Sequence, residues 1–165
     1  MFDTKYKIQN TKYNLGFTII ELVVALAVAI ILASAGFLNI ISYKNNQGVS
    51  SESQEIATAL RAAQNNSLSQ EAGNRWGVYF ENTLENGAFY VIFSGLAYSA
   101  TTTYTKNVLP SNVKFITPAL GATSSVVFTP ITGLPNPALS VKISLISNQN
   151  VSSTISAMSN GQIQY

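Results

Sequence analysis

Apolar and polar positions follow three different patterns along the chain. Residues 17–41 are apolar at nearly every position, which predicts a helix that is apolar on all sides. Residues 49–68 carry apolar positions at helical spacing, which predicts an amphipathic helix. From Arg75 onward, short apolar and aromatic runs alternate with turn residues, which predicts strands. The sequence therefore predicts an α+β fold, with a long N-terminal helix packed on a small, mainly antiparallel β-sheet domain.

The two helical patterns are predicted to be halves of one helix, residues 17–41 and 42–69, ahead of a β-rich domain at residues 70–165. Residues 45–48 contain few strong helix formers, so a hinge or a locally melted stretch is predicted there. The apolar stripe of the second half is predicted to comprise Val49, Ile56, Leu60, Ala63 and Ser67. The charged residues predicted to lie largely off this stripe are Glu52, Glu55 and Arg61.

The β-rich part is predicted to contain several short strands. Asn86 and Gly87 form a turn signal between the first two, which are therefore expected to pair as a hairpin. Three prolines and a glycine in residues 129–137 predict only turn or loop. The aromatic residues expected in the core and in sheet pairing are Trp76, Tyr79, Tyr90 and Phe93. The strands are predicted at 75–80, 88–94, 113–116, 125–128, 139–145, 151–157 and 162–165, with an edge strand near 101–104.

Length and charge bear on the function of the first helix. A helix over residues 17–41 would be about 37 Å long at about 1.5 Å per residue, which exceeds the roughly 30 Å of a bilayer core. The run is also longer than the apolar core of a secretory signal. Lys5, Lys7 and Lys12 precede it, so the positive-inside rule predicts a cytoplasmic N-terminus and a domain on the outer side.

Composition excludes many kinds of active site. The chain has no Cys and no His, and no Asp or Glu occurs from Asn86 to Tyr165. Thiolate chemistry, histidine acid–base catalysis and most metal sites are therefore excluded, and no cofactor is expected. The net charge of +2 equals the excess in the first sixteen residues, so the basic balance is weak support for nucleic-acid binding.

One short motif stands at the junction of the basic leader and the apolar helix. It reads Gly16-Phe17-Thr18-Ile19-Ile20-Glu21. A carboxylate inside a spanning helix is costly and usually has a partner, so Glu21 is a candidate functional residue. The motif resembles the class III signal of type IV prepilins and type II secretion pseudopilins.

This resemblance implies processing and assembly. A prepilin peptidase would cut between Gly16 and Phe17, remove residues 1–16, and methylate the new amine of Phe17. Glu21 would then be the assembly glutamate. The implied partners are the peptidase/methyltransferase, other pilin or pseudopilin subunits, and an inner-membrane assembly platform. The implied location is the inner membrane before assembly and a pilus or pseudopilus filament afterwards.

The β-rich part more loosely resembles the minor pseudopilins called GspH/FimT, through residues 126–133 and 159–163 among others. Two alternatives remain open at this point. The first is a membrane-anchored minor pilin of DNA uptake that binds DNA, although Lys106, Lys114 and Lys142 are predicted to be scattered, solvating residues. The second is an enzyme held by a signal anchor, which the absence of a nucleophile elbow disfavours. The prediction is a non-enzymatic structural subunit.

Overall fold

A computed structural model of the chain describes residues 16–83 and 87–165, and the side chains of residues 35–46 lie outside that description. The predicted leader, residues 1–16, thus lies almost wholly outside the described residues. The chain divides into two compact units, Met1–Ile40 and Ile41–Tyr165. The helix and the strands are α1 Ile19–Leu68, β1 Trp76–Thr83, β2 Gly87–Ser94, β3 Thr103–Val108, β4 Val113–Thr117, β5 Thr123–Phe128, β6 Pro135–Asn136, β7 Leu139–Leu145, β8 Ser152–Ala157 and β9 Ile163–Gln164.

The second unit contains two antiparallel sheets, and the predicted α+β fold class is confirmed. A five-stranded sheet has the order β3-β2-β1-β5-β6, and a four-stranded sheet has the order β4-β7-β8-β9. The predicted hairpin is confirmed, because β1 pairs with β2 along its whole length. Trp76 lies opposite Ser94 at one end of the hairpin, and Thr83 lies opposite Gly87 at the other. The predicted pairing of the 139–145 and 151–157 segments is also confirmed, as β7 with β8.

Two local predictions were wrong, and one predicted strand is present but displaced by a few residues. The backbone is helical throughout Ile19–Leu68, so the break predicted at 45–48 is not observed, since helix propensity is only a weak prior. The edge strand predicted near 101–104 runs instead over Thr103–Val108. The segment 129–137, predicted to be loop only, contains β6, in which Pro135 pairs with Phe128 of β5. A proline fits there because β6 is an edge strand whose outer side needs no N–H donor.

One hydrophobic core is shared by the second half of α1 and both sheets. The predicted stripe is confirmed, with Leu60 only 1% exposed and with Ser67 donating a hydrogen bond of 2.6 Å from its hydroxyl to the carbonyl of Phe128. The prediction that Glu52 lies off the stripe was wrong, because Glu52 is buried. Position 52 lies three residues after Val49 and four before Ile56, which is the spacing of one helical face. Glu55 and Arg61 are exposed, as predicted.

The β2 strand is buried on both of its faces. Tyr90 and Ile92 belong to the main core, whereas Phe93 is buried outside it. Tyr98, in the connection from β2 to β3, stacks on Tyr79 with ring centroids 4.1 Å apart and meets Phe93 edge-on at 5.8 Å. The prediction that Trp76, Tyr79, Tyr90 and Phe93 serve the core and the sheets therefore agrees with their burial, and only Tyr79 is half-exposed. Gly77 permits this packing, since a Cβ there would collide with the carbonyl of Val126 and the ring of Phe93.

Candidate processing and assembly site

The segment from Gly16 to Thr18 precedes the helix and is exposed. The bond between Gly16 and Phe17 therefore lies in non-helical backbone, which an enzyme can reach without unwinding α1. Around Gly16, no described atom lies within 4 Å of the position that a Cβ would occupy. Packing within the described chain therefore gives no reason for a glycine at position 16. A requirement for a small residue here would have to come from another protein.

Thr18 fixes where the helix begins. Its hydroxyl oxygen accepts a hydrogen bond of 3.3 Å from the backbone N–H of Glu21, and its carbonyl accepts one of 3.2 Å from the N–H of Leu22. These are the contacts of a helix N-cap. This role of Thr18 was not predicted, although the Thr-x-x-Glu spacing from Thr18 to Glu21 is the signature of a capping box. The cap ends the non-helical segment just after the predicted cleavage point.

Glu21 lies in the first turn of α1 and is exposed. The partial positive charge at a helix N-terminus, roughly half an elementary charge, favours a carboxylate there. The same field disfavours an ammonium group. An α-amine created at Phe17 would lie at this positive end, so it would gain from a carboxylate supplied by a neighbouring molecule. The geometry thus keeps Phe17 and Glu21 at the same end of the helix and leaves both open to a partner.

The first half of α1 presents a large apolar surface. Every described side chain from Gly16 to Ser34 is exposed, and Phe17 is exposed to 86%. Apolar surface on all sides of a helix indicates burial by other molecules. Within the described part of the chain, no helix combines the length and the hydropathy that crossing a bilayer requires. The predicted span, residues 17–41, extends into residues whose side chains lie outside the description.

Comparisons with known proteins bear on both the motif and the fold. The family model for the prokaryotic N-terminal methylation motif matches residues 11–37, which include Gly16, Phe17 and Glu21. Two crystal structures of the type IV minor pilin FimU from Pseudomonas aeruginosa (strain PAO1) have a similar fold. The chain therefore contains this methylation motif and has a fold like that of a type IV minor pilin. No curated protein matches it in sequence.

The likeness of this chain to FimU is one of fold. One FimU structure is 20% identical, with a TM-score of 0.50, and the match covers 70% of this chain and 90% of FimU. The other is 18% identical, with a TM-score of 0.54, and covers 74% of this chain and 90% of FimU. The match thus supports the arrangement of a helix on antiparallel sheets, which the sequence analysis predicted.

The second unit of the chain also contains a buried acid that was not predicted. Glu52 is 4% exposed, and its Oε1 atom has no hydrogen-bond partner. Burial is the main cause that raises the pKa of Glu52 to about 7, and the negative charge of Glu55 raises it further. A hydrogen bond from Tyr90 acts in the opposite direction and lowers the pKa of Glu52. Burial and the same two carboxylates raise the pKa of Tyr90. Glu52 is therefore largely protonated in the folded protein below neutral pH.

We expect this acid to make stability depend on pH. In the unfolded chain Glu52 loses its proton near the ordinary value of 4.5, whereas the folded protein holds it until about 7. The unfolded state is thus favoured increasingly as the pH rises through this window, and stability should fall by roughly 2–3 kcal/mol. Urea unfolding of residues 48–165 at pH 5 and pH 8 measures the change.

Two variants of this fragment serve as tests. Glu52→Gln should flatten the pH dependence, because the amide stays neutral throughout. Glu71→Gln is the matched control, since Glu71 is exposed. This variant should lose as much stability between pH 5 and pH 8 as the parent fragment does. Equal pH dependence in Glu52→Gln and in the parent fragment would contradict this assignment.

The remaining candidate residues do not form a single site. Lys114 of β4 and Lys142 of β7 lie on neighbouring strands of the four-stranded sheet, whereas Lys106 of β3 belongs to the other sheet and lies over the Phe89 ring at 3.8 Å. Lys106 and Lys142 are exposed and Lys114 is half-buried. Within residues 16–83 and 87–165, no group of three or more acidic side chains is placed to hold a metal ion.

Proposed function

We propose that this protein is a structural, minor subunit of a type IV pilus or a type II secretion pseudopilus. The observation that carries the proposal is the methylation motif at residues 11–37, combined with an exposed bond between Gly16 and Phe17 just ahead of the helix start. The pilin-like fold supports the same function. The assignment as a minor subunit rests on the likeness to a minor pilin.

The proposed pathway begins in the inner membrane. The lysines of residues 1–16 hold the N-terminus on the cytoplasmic side, and the apolar half of α1 anchors the precursor. A prepilin peptidase then cuts after Gly16 and methylates Phe17. The anchor finally leaves the bilayer for an apolar bundle of helices, where other subunits cover the side chains that are exposed in the isolated chain.

Assembly requires that the new charge at Phe17 be compensated. An ammonium group buried without a partner costs several kcal/mol in an apolar environment. We propose that Glu21 of one subunit neutralises the amine of Phe17 of its neighbour. Only one axial register brings the two groups together, so the pair would select that register as well as stabilise it. The exposed apolar surface of the first half of α1 makes other pilin or pseudopilin subunits the main proposed partners.

Substitution of Gly16 tests the processing step. Gly16→Leu should leave a full-length precursor in the membrane, because the bulky side chain would not fit a peptidase that requires a small residue before the cut. Gly16→Ala keeps the residue small and is the matched variant, which should still be cleaved. The ratio of precursor to mature protein on a gel measures both. Normal cleavage of Gly16→Leu would contradict the proposed processing site.

A further inference from the structure

The helix α1 meets the β-rich part of the second unit beside Gly48. A Cβ on Gly48 would stand 3.1 Å from the side-chain nitrogen of Asn112. The backbone N–H of Ile146 donates a hydrogen bond of 3.0 Å to the carbonyl of Asn112. The connections from β3 to β4 and from β7 to β8 therefore come together next to the helix. We call residues 108–112 and 146–150 the entry end of the domain.

The register of the five-stranded sheet fixes the opposite end. The last turn of α1 donates a hydrogen bond to the carbonyl of Phe128, which lies opposite Trp76. Trp76 in turn lies opposite Ser94, where β2 ends. Val108 lies opposite Phe89, near the start of β2. Since a strand advances about 3.3 Å per residue, these two ends of β2 are about 17 Å apart.

Two large apolar side chains are exposed at the entry end. Val108 is 62% exposed and Ile146 is 54% exposed. Single exposed apolar residues are common on protein surfaces, so exposure alone does not assign a partner to them. Their position distinguishes these two residues, because they lie beside the part of α1 that follows the apolar run.

The apolar run and the entry end are close together along the helix. The run ends at Ile41, α1 is continuous through Gly48, and this stretch of helix advances about 10 Å. The headgroup layer on each side of a bilayer is roughly 5–8 Å thick. If residues 17–41 cross the hydrocarbon core, the entry end lies within a few ångströms of the headgroups. Because the backbone between Ile41 and Gly48 is helical, it does not act as a flexible linker that would hold the domain away from the bilayer.

The charges near the entry end favour phosphate groups. Lys106 on β3 is exposed, and Lys114 on β4 is half-buried, and each lies two residues from the entry end. The two connections themselves contain no Asp or Glu. One acid of the adjoining strand β1, Glu81, already accepts hydrogen bonds from the hydroxyls of Tyr79 and Thr83. Lysine stems can lie along apolar surface while their ammonium groups reach the phosphates of lipids.

We propose that the entry end rests on the outer surface of the phospholipid bilayer that the first half of α1 crosses. Val108 and Ile146 enter the interfacial layer, as the apolar side chains of interfacial helices do, and Lys106 and Lys114 contact lipid phosphates. The contact rests on the proposed membrane anchoring of the precursor and adds a second attachment to it. The domain is then held against the membrane until the subunit leaves for the filament.

The test uses the full chain in lipid nanodiscs, with one chain per disc so that no second copy can cover the entry end. The discs contain three parts of phosphatidylethanolamine to one part of phosphatidylglycerol. The chain has no cysteine, so each of the substitutions Val108→Cys and Ile146→Cys creates a single site for a bimane fluorophore. Leu96→Cys and Ile131→Cys are the matched controls, since Leu96 is 75% and Ile131 is 72% exposed in connections at the opposite end. The quencher is a lipid that carries a nitroxide on its headgroup.

The position of the label should decide the amount of quenching. Labels at Val108 and Ile146 should lose at least about half of their fluorescence, because interfacial side chains reach roughly 5–10 Å into the headgroup and acyl boundary. Labels at Leu96 and Ile131, which are about 17 Å farther along the sheet, should lose less than about a tenth. All four sites are exposed, so circular dichroism of the labelled chains should match that of the parent.

Charge variants show whether the two lysines take part. Lys106→Gln combined with Lys114→Gln should reduce the quenching at Ile146 by about half, because each lysine near an anionic membrane surface contributes to attraction. Lys142→Gln is the matched control, since Lys142 is exposed on β7 but lies four residues before Ile146. This single change should leave the quenching unaltered. An equal reduction by Lys142→Gln would contradict the assigned role of Lys106 and Lys114.

Two results would overturn the membrane contact: equal quenching at all four labelled positions, or no quenching at Val108 and Ile146 in discs that hold the chain. Co-elution of the chain with the discs reports anchoring separately. A chain that co-elutes without quenching at the entry end would remove the contact and leave the proposed anchoring intact. A chain that does not co-elute would overturn the anchoring and the contact together. Neither processing nor filament assembly enters these measurements.

Discussion

Glu21→Gln should leave the protein processed and inserted in the membrane but sharply reduce its incorporation into filaments. The amide keeps the size of the side chain and removes its charge. If Glu21 pairs with the Phe17 amine of a neighbour, that amine becomes a buried charge without a counter-ion. Breaking a buried pair in this way costs about 3–5 kcal/mol per interface. Cleavage and folding do not depend on the pair, so they should survive.

The measurement is the ratio of filament-incorporated to membrane-pool protein for the parent and the variant. Glu71→Gln is a matched control, because it is the same change at an exposed residue after the end of α1. A subunit at the tip of a filament has no neighbour on one side. The incorporation of a tip subunit should therefore fall less than that of an internal subunit. An unchanged ratio for Glu21→Gln would mean that Glu21 is not an assembly residue.

Leu60→Ala should destabilise the domain by about 2–5 kcal/mol, the usual range for removing a buried leucine side chain. Leu60 is 1% exposed and lies in the core shared by α1 and both sheets, so the cavity would open at the helix–sheet junction. Urea unfolding of residues 48–165 measures the loss. We expect this fragment to be soluble, monomeric and mainly β-structured by circular dichroism.

Leu96→Ala provides the matched control for that substitution. Leu96 is 75% exposed in the connection from β2 to β3, so the same truncation there should change the free energy of unfolding by less than about 0.5 kcal/mol. A loss below about 1 kcal/mol in Leu60→Ala would show that α1 does not pack on the sheets as described.

Features governed by local sequence were predicted well. The β1–β2 hairpin follows from aromatic runs on both sides of a turn signal, and β7 follows from strict alternation over residues 139–145. The stripe from Val49 to Ser67 follows from helical spacing. Each of these patterns spans fewer than about 20 residues, which is the range over which hydrophobic periodicity is informative.

Features that depend on distant contacts were missed or misplaced. The β6 strand exists because Pro135 and Asn136 pair with β5, and nothing in the proline-rich segment itself indicates this pairing. The packing of α1 on the five-stranded sheet also joins distant residues, since the hydrogen bond from Ser67 to Phe128 spans 61 positions. Glu52 is different, because its spacing from Val49 and Ile56 does place it on the buried stripe. Its charge argued against burial, and the elevated pKa resolves that conflict.

We propose that this chain is a prepilin whose mature form begins at Phe17. The intact mass of the protein recovered from membranes of cells that contain a prepilin peptidase tests it directly, with fragmentation of the N-terminal peptide to locate any modification. We expect a chain that starts at Phe17 and carries one methyl group on its α-amine. A mature chain that starts at any other residue, or a chain that keeps residues 1–16, would contradict it.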